Sequence, residues 1–312
     1  MPFAALHDGH GYLLDSFDFT YLTSGRDLLF HPQGTVASSV VVFADPHFTA
    51  IPTSISIPSS DVLERFLLSS SSDPSRGYWV PLPGTRREAQ SIQHLLPQAQ
   101  LFLGPEATKE RLMQLPAPGI LHIATHGFLR DPSLSPEGSR GVVFDMAVGQ
   151  RLPTLRPGEP LMLRSGLVLS EATTSSANPT DARKTSMVTA LELAGLNLWG
   201  TQLVVLSACN TGNEDVQSAK QINGLRRALV VAGAETVVMS LGNVNDASAS
   251  LLMESYYGNL LNGMGRTSAL REAMRSLRVA RPHPHDWAPF IALGIDDPLR
   301  GIHPSAPGGS GG

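Results

Sequence analysis

Gln202-Leu203-Val204-Val205-Leu206-Ser207-Ala208 runs directly into Cys209-Asn210-Thr211-Gly212, and it is the strongest buried-strand signal in the chain. A short continuous apolar run closed by a turn sequence reads as a strand covered on both faces, as in the middle of a parallel sheet. Gly119-Ile120-Leu121-His122-Ile123-Ala124-Thr125 has the same character and runs directly into His126-Gly127. Upstream, Ser39-Val40-Val41-Val42-Phe43-Ala44 reads as a strand stopped by the turn Asp45-Pro46, and 100–103 as another. Between these strands Thr85-Arg86-Arg87-Glu88 has capping-box spacing. Ala89, Ile92 and Leu96 then give a helical apolar face that Pro97 ends, and 107–113 predicts a second, short helix. Strand, helix, strand, helix, strand implies parallel crossovers, hence an α/β sheet.

Downstream, 166–170 reads as a small strand and 187–196 as a short amphipathic helix. A helix over 221–231 leads into the core strand Thr236-Val237-Val238-Met239-Ser240. Asn245 or Asp246 caps a helix to about Leu261, with Leu252, Tyr256 and Leu260 on one face. Another helix over 268–277 buries Leu270, Met274 and Leu277, and 289–293 closes the pattern as a final strand. The Ser- and Pro-rich stretch 49–84 reads as a surface excursion, and 171–184 as a polar one. The stretch 131–160 is too long for a plain connection and reads as a functional loop or mobile insertion.

With 312 residues, 42% of them hydrophobic, the chain suffices for one large domain, or a domain with a smaller lobe. A net charge of -4 without a Lys/Arg block argues against a nucleic-acid partner. A single cysteine rules out an intramolecular disulfide and favours a reducing compartment. No apolar stretch is long enough to span a membrane, and the N-terminus has no signal-peptide pattern, so cytoplasmic location is the expectation. The abrupt apolar start Met1-Pro2-Phe3-Ala4-Ala5-Leu6 and the linker-like Gly308-Gly309-Ser310-Gly311-Gly312 read as the ends of a domain cut from a longer protein.

In open parallel sheets, ligand sites form beyond the C-terminal strand ends. His126 and Cys209 take equivalent positions on two strands, so they meet if those strands are neighbours. A thiolate is a strong nucleophile, and a nearby imidazole can manage its proton and later protonate a leaving amine. The N–H of Gly127 suits an oxyanion because glycine lets a substrate approach the main chain; the N–H of Cys209 is a second donor. Alone, Cys209 reads as a small buried hydrophobe and His126 as a capping or core histidine. Their matched positions favour a dyad. His122, His126 and Cys209 could supply metal ligands, as could His283, His285 and Asp286, but neither set has zinc spacing. His122 is expected to pack against a helix. Glu214, Asp215 and Asp131 are candidates for a substrate pocket, with ordinary solvated loops as the alternative. No phosphate-binding glycine loop, dinucleotide fingerprint or G-x-S-x-G elbow occurs, so no cofactor is expected.

Leu121-His122-Ile123-Ala124-Thr125-His126-Gly127 and Val204-Val205-Leu206-Ser207-Ala208-Cys209-Asn210-Thr211-Gly212 resemble the histidine and cysteine motifs of the CHAT domain family. These are caspase-like cysteine peptidases, in the clan of caspases, separase and gingipains. The similarity extends to Pro2-Phe3-Ala4-Ala5-Leu6, Leu82-Pro83-Gly84-Thr85, Gly224-Leu225-Arg226-Arg227-Ala228 and Trp287-Ala288-Pro289-Phe290, so it covers nearly the whole chain. The resemblance implies a caspase-like α/β fold with a mostly parallel central sheet flanked by helices. It implies a domain over 1–302, one reading of which has a pseudo-caspase-like portion in 1–84, followed by a flexible tail over 303–312.

By the same resemblance, His126 and Cys209 are the catalytic dyad acting on a protein or peptide substrate. Relatives often carry the domain behind helical repeats in bacterial defence or signalling, sometimes under a partner's control. That implies a helical-repeat regulatory region or activating partner outside this chain. The wider group commonly uses an acidic pocket for Arg or Lys, but family members vary, so Glu214 and Asp215 keep both readings. Gly242 stands where the family usually has Trp, which alters any substrate pocket and leaves the dyad intact. The rival reading is a catalytically inactive caspase-like binding or scaffold domain.

Overall fold

The computed structural model describes residues 2–29, 36–48, 79, 81–129, 143–145, 150–152, 160–170, 186–207, 215–241 and 244–303. Short 3-10 segments flank β1 (Thr20–Tyr21), and β2 (Val40–Pro46), α1 (Pro83–Leu95), β3 (Gln100–Gly104), α2 (Lys109–Met113) and β4 (Ile120–Ala124) follow. Next come β5 (Gly127–Leu129), β6 (Val143–Asp145), β7 (Gln150–Leu152), α3 (Leu161–Arg164), β8 (Ser165–Val168), β9 (Met187–Thr189) and α4 (Ala190–Ala194). The chain continues through β10 (Leu203–Leu206), α5 (Asp215–Ala232), β11 (Thr236–Ser240), α6 (Asp246–Leu261), α7 (Arg266–Ala280), α8 (Pro284–Trp287) and β12 (Phe290–Gly294).

Seven strands form one sheet in the order β1-β12-β11-β10-β4-β2-β3. The run from β3 to β11 is parallel throughout, β12 is antiparallel to β11, and β1 is parallel to β12. This is the mostly parallel α/β sheet the sequence predicts. Both faces are covered, which is why its strands read as unbroken apolar runs. Val40, Val42, Ile120, Leu203 and Val205 pack on one side with Ile92 of α1, Tyr256 of α6 and Met274 of α7. Val41, Phe43, Leu121, Val204 and Leu206 pack on the other with Leu193 of α4 and Leu229 of α5. Each of these fully buried side chains stabilises the fold by about 1.5–3 kcal/mol.

A second sheet, β5-β8-β9, is antiparallel and grows directly from the end of β4. It corrects the expectation of a helix over 187–196, because Met187–Thr189 pairs with β8 before α4 begins. Thr189 then forms a true capping box, its Oγ1 accepting from Glu192 N at 3.2 Å while Glu192 Oε2 accepts from Thr189 N at 2.8 Å. The capping box predicted at Thr85–Glu88 does not form. Pro83 takes the first helical position, where a missing N–H costs nothing, so α1 starts three residues earlier. Thr85 Oγ1 instead donates to Leu82 O and accepts from Asp45 N, and Glu88 turns into the core. Asn245 is the N-cap of α6, its side chain accepting from Ala247 N and Ser248 N.

Within 131–160, β6 and β7 pair as antiparallel strands, and the remainder up to 159 lies outside the described residues. The excursion at 171–184 lies outside them too. Of 49–84, Trp79 is half-buried rather than at the surface, and 83–84 already belong to α1.

Candidate active site

The sheet brings the two motif strands side by side. β10 pairs parallel with β4 in the register Leu203↔Ile120 to Leu206↔Ile123, and Ser207 N continues the ladder to Ile123 O at 3.2 Å. Both strands therefore leave the sheet at the same end, with His126 two residues beyond β4. His126 is fully buried. Its carbonyl accepts from Val168 N at 2.9 Å, and the hydroxyl of Thr125 donates to Val168 O. That first bond makes Gly127 and Leu167 a non-hydrogen-bonded pair, so the Gly127 N–H points away from β8, off the edge of the small sheet.

Two aromatic rings lie against the imidazole. The centroid of Phe48 is 5.1 Å from that of His126, and that of Trp79 is 5.4 Å away. Phe48 arrives there through a built exit from β2. Asp45 forms a bulge with a left-handed φ of 48°, and its carboxylate is held by Arg86 Nε at 2.7 Å. Such bulges re-aim the chain at strand ends. His47 N then donates to Ser170 Oγ at 2.8 Å, and that hydroxyl donates to Gly104 O at 2.6 Å. Sequence reasoning found the Asp45-Pro46 turn but missed what it aims. The only signal for Trp79 was a large aromatic inside a Ser- and Pro-rich stretch.

His122, on the same strand, has a different setting. It is buried between α1 and α6, with Nδ1 3.1 Å from Tyr257 Oη and Nε2 2.9 Å from Glu88 Oε1. The second contact is close enough for an ion pair but too oblique for a good hydrogen bond. Burial, with Tyr256 and Glu88 nearby, pushes the Tyr257 hydroxyl well above its ordinary value. The protonated hydroxyl donates to Nδ1 when the ring proton sits on Nε2, facing Glu88. His122 thus packs against helices, as its position predicts.

Among the described residues no group of three or more His, Cys, Asp or Glu could hold a metal. His283 caps α8 by accepting from His285 N, and Asp286 accepts from Ser248 Oγ at 2.7 Å. Cys209, Glu214, Asp131 and Gly242 lie outside the described residues. Asp215, expected in a loop, is the first residue of α5.

The family model described as the CHAT domain matches residues 1–295. Tetratricopeptide repeat protein 28 of Homo sapiens is 27% identical over 312 residues, which cover 95% of this chain and 11% of that protein. The protein of the same name from Mus musculus is also 27% identical, over 95% of this chain and 12% of its own length. The chain thus spans roughly a tenth of the relatives it matches. No described helix is long and apolar enough to cross a membrane.

Proposed function

Because this chain belongs to the CHAT domain family, a family of caspase-like peptidases, we propose that it is a cysteine endopeptidase acting through His126 and Cys209. The single observation carrying the proposal is the parallel pairing of β4 with β10 at Ile123↔Leu206. Counting three residues on from each partner leads to His126 and Cys209. In the proposed reaction, the Cys209 thiolate attacks the scissile carbonyl carbon, with its proton held on the His126 imidazole. The tetrahedral oxyanion collapses to a thioester as the imidazolium protonates the leaving amine. Water, deprotonated by the same imidazole, then cleaves the thioester and returns the thiol. Gly127 supports the reading because its N–H projects from the sheet edge beside the histidine, where an oxyanion donor is needed. The N–H of Cys209 is the second proposed donor, and Glu214, Asp215 and Asp131 are the proposed pocket residues.

The full burial of His126 means that a substrate reaches it only once its cover shifts. A helical-repeat regulatory region or activating partner supplies that control in our reading, in keeping with the names of the two relatives. We assign the peptidase domain to 1–302, with any pseudo-caspase-like portion in 1–84, a tail over 303–312 and a cytoplasmic setting. The same burial is what favours the second reading, an inactive scaffold.

Alkylation separates the two readings, since the chain has one cysteine. At about pH 6, well below a free thiol's ordinary value, iodoacetamide should label the wild type faster than His126→Ala. Peptide-library cleavage, run with the longer protein and candidate partners, should fall about 10²- to 10⁴-fold in His126→Ala and vanish in Cys209→Ala. Full activity in either folded variant refutes the assignment.

A further inference from the structure

An imidazole on a strand end has two side-chain torsions, the second of them broad. A histidine exchanging a proton with a neighbouring strand needs both held. Among the described contacts on the His126 ring are Phe48 and Trp79, at centroid separations of 5.1 Å and 5.4 Å and interplanar angles of 48° and 35°. Both separations fall within the range of favourable aromatic pairs. Neither ring is fully buried.

The backbone around them forms one frame. Asp45 is fixed from α1 by Thr85 and Arg86, and His47 by Ser170. Ser170 N in turn donates to Ala107 O at 2.8 Å, and His126 O accepts from Val168 N, two residues before Ser170. Phe48 and His126 are therefore both tied to the end of β8 by short hydrogen-bonded paths. A left-handed non-glycine residue costs energy and persists where its surroundings hold it, and here it directs Phe48 at the histidine.

We infer that Phe48 and Trp79 are positioning residues that clamp the His126 imidazole in the orientation its exchange with Cys209 requires. The role rests on the peptidase reading above; the clamp itself rests on the ring contacts. Each acts through the histidine.

Two measurements on the 312-residue chain test this. First, a protonated imidazole quenches an adjacent indole, so the tryptophan emission of the wild type should contain a component titrating with His126. That component should vanish in both Trp79→Phe and His126→Gln. Any pH dependence that Trp287 draws from His283 and His285 should persist in both. Retention of the full pH dependence in either variant overturns the clamp, whether or not peptides are cleaved.

Second, the alkylation rate of Cys209 at about pH 6 should fall about 10- to 100-fold in Phe48→Ala and Trp79→Ala, the scale of a misplaced catalytic group. Trp79→Phe, which keeps a ring, should restore most of it. An unchanged rate in folded Trp79→Ala, or in Trp79→Leu if the alanine variant unfolds, overturns the positioning role. A faster rate would make the rings a cover instead of a clamp, and overturns it too. If His126→Ala itself alkylates at the wild-type rate, the dyad fails and the positioning role fails with it, while the emission measurement still decides the ring contact.

Discussion

His122 and His126 lie four residues apart, on and just beyond one strand, and both are fully buried. Their described contacts differ in kind. His122 sits where α1 and α6 cover the sheet, and both its ring nitrogens face polar atoms, from Tyr257 and Glu88. Such partners fix a tautomer and hold the ring for the life of the fold. His126 lies past the last β4 residue, where the chain turns into the small sheet. There the rings of Phe48 and Trp79 pack against it. Aromatic faces orient an imidazole without dictating which nitrogen carries the proton. The contrast teaches that position along a parallel strand decides a histidine's role: the interior is closed by helices, and the carboxyl end is where loops diverge and chemistry fits.

The largest effect that could break the contrast is an exchange of fates. His122→Ala leaves Glu88 buried without its partner and should lower stability by about 3 kcal/mol, as for other broken buried pairs. The folded fraction should still alkylate Cys209 at the wild-type rate. His126→Ala should do the reverse, with the denaturant midpoint little changed and the chemistry lost. Replacing both members, as in Glu88→Leu with His122→Leu, should recover part of the lost stability, because the buried carboxylate goes with its partner and only the Tyr257 hydroxyl loses a contact. If denaturant titration shows His122→Ala as stable as the wild type, the network is not structural.

How far the sequence carried this contrast depends on which interactions leave a local trace. Burial on both faces leaves continuous apolar runs, so β2, β4, β10 and β11 were legible, as was His122's place inside one of them. The end of β4 was legible too, from His126-Gly127. The direction of β12 was not, since an antiparallel edge strand has the same composition as a parallel one. Thr85–Glu88 and Thr189–Glu192 share capping-box spacing, yet only the second forms, because Pro83 started α1 early and Glu88 was drawn inward to His122. Phe48 and Trp79 were illegible as site residues. Their partner is remote in sequence, and a single aromatic in a loop has no periodicity to reveal what it faces.

A smaller change sharpens the account of His122 itself. Tyr257→Phe removes one buried hydroxyl while keeping the ring that packs in the core. It should cost about 1 kcal/mol, the net worth of one hydrogen bond, measured by denaturant titration. It should also free the tautomer, so the ring carbon resonances of His122 should shift from the Nε2–H pattern toward a mixture. Unmoved resonances would mean that Glu88 alone sets the tautomer.

The smallest effect lies at the outer end of the same network. Asp246, half-buried at the first turn of α6, accepts from Gly84 N at 2.9 Å. A Cβ on Gly84 would come within 2.4 Å of that carboxylate oxygen, so only glycine fits. Burial, and then the charge of Glu88, push the Asp246 carboxyl above its ordinary value, against the pull of the Gly84 bond and Arg87. A carboxyl with a raised folded value destabilises the fold when ionised. That cost is present above the folded value and disappears as pH drops below the ordinary value of 3.8. Asp246→Asn keeps an acceptor for Gly84 and should therefore stabilise the chain at neutral pH by no more than about 0.5 kcal/mol. The gain should shrink to nothing in acid, and in the Glu88→Leu, His122→Leu background it should be smaller at every pH, because one source of the upward push is gone. A gain that survives in acid would show that Asp246 acts through packing alone, and would cut the link between this half-buried carboxylate and the buried histidine.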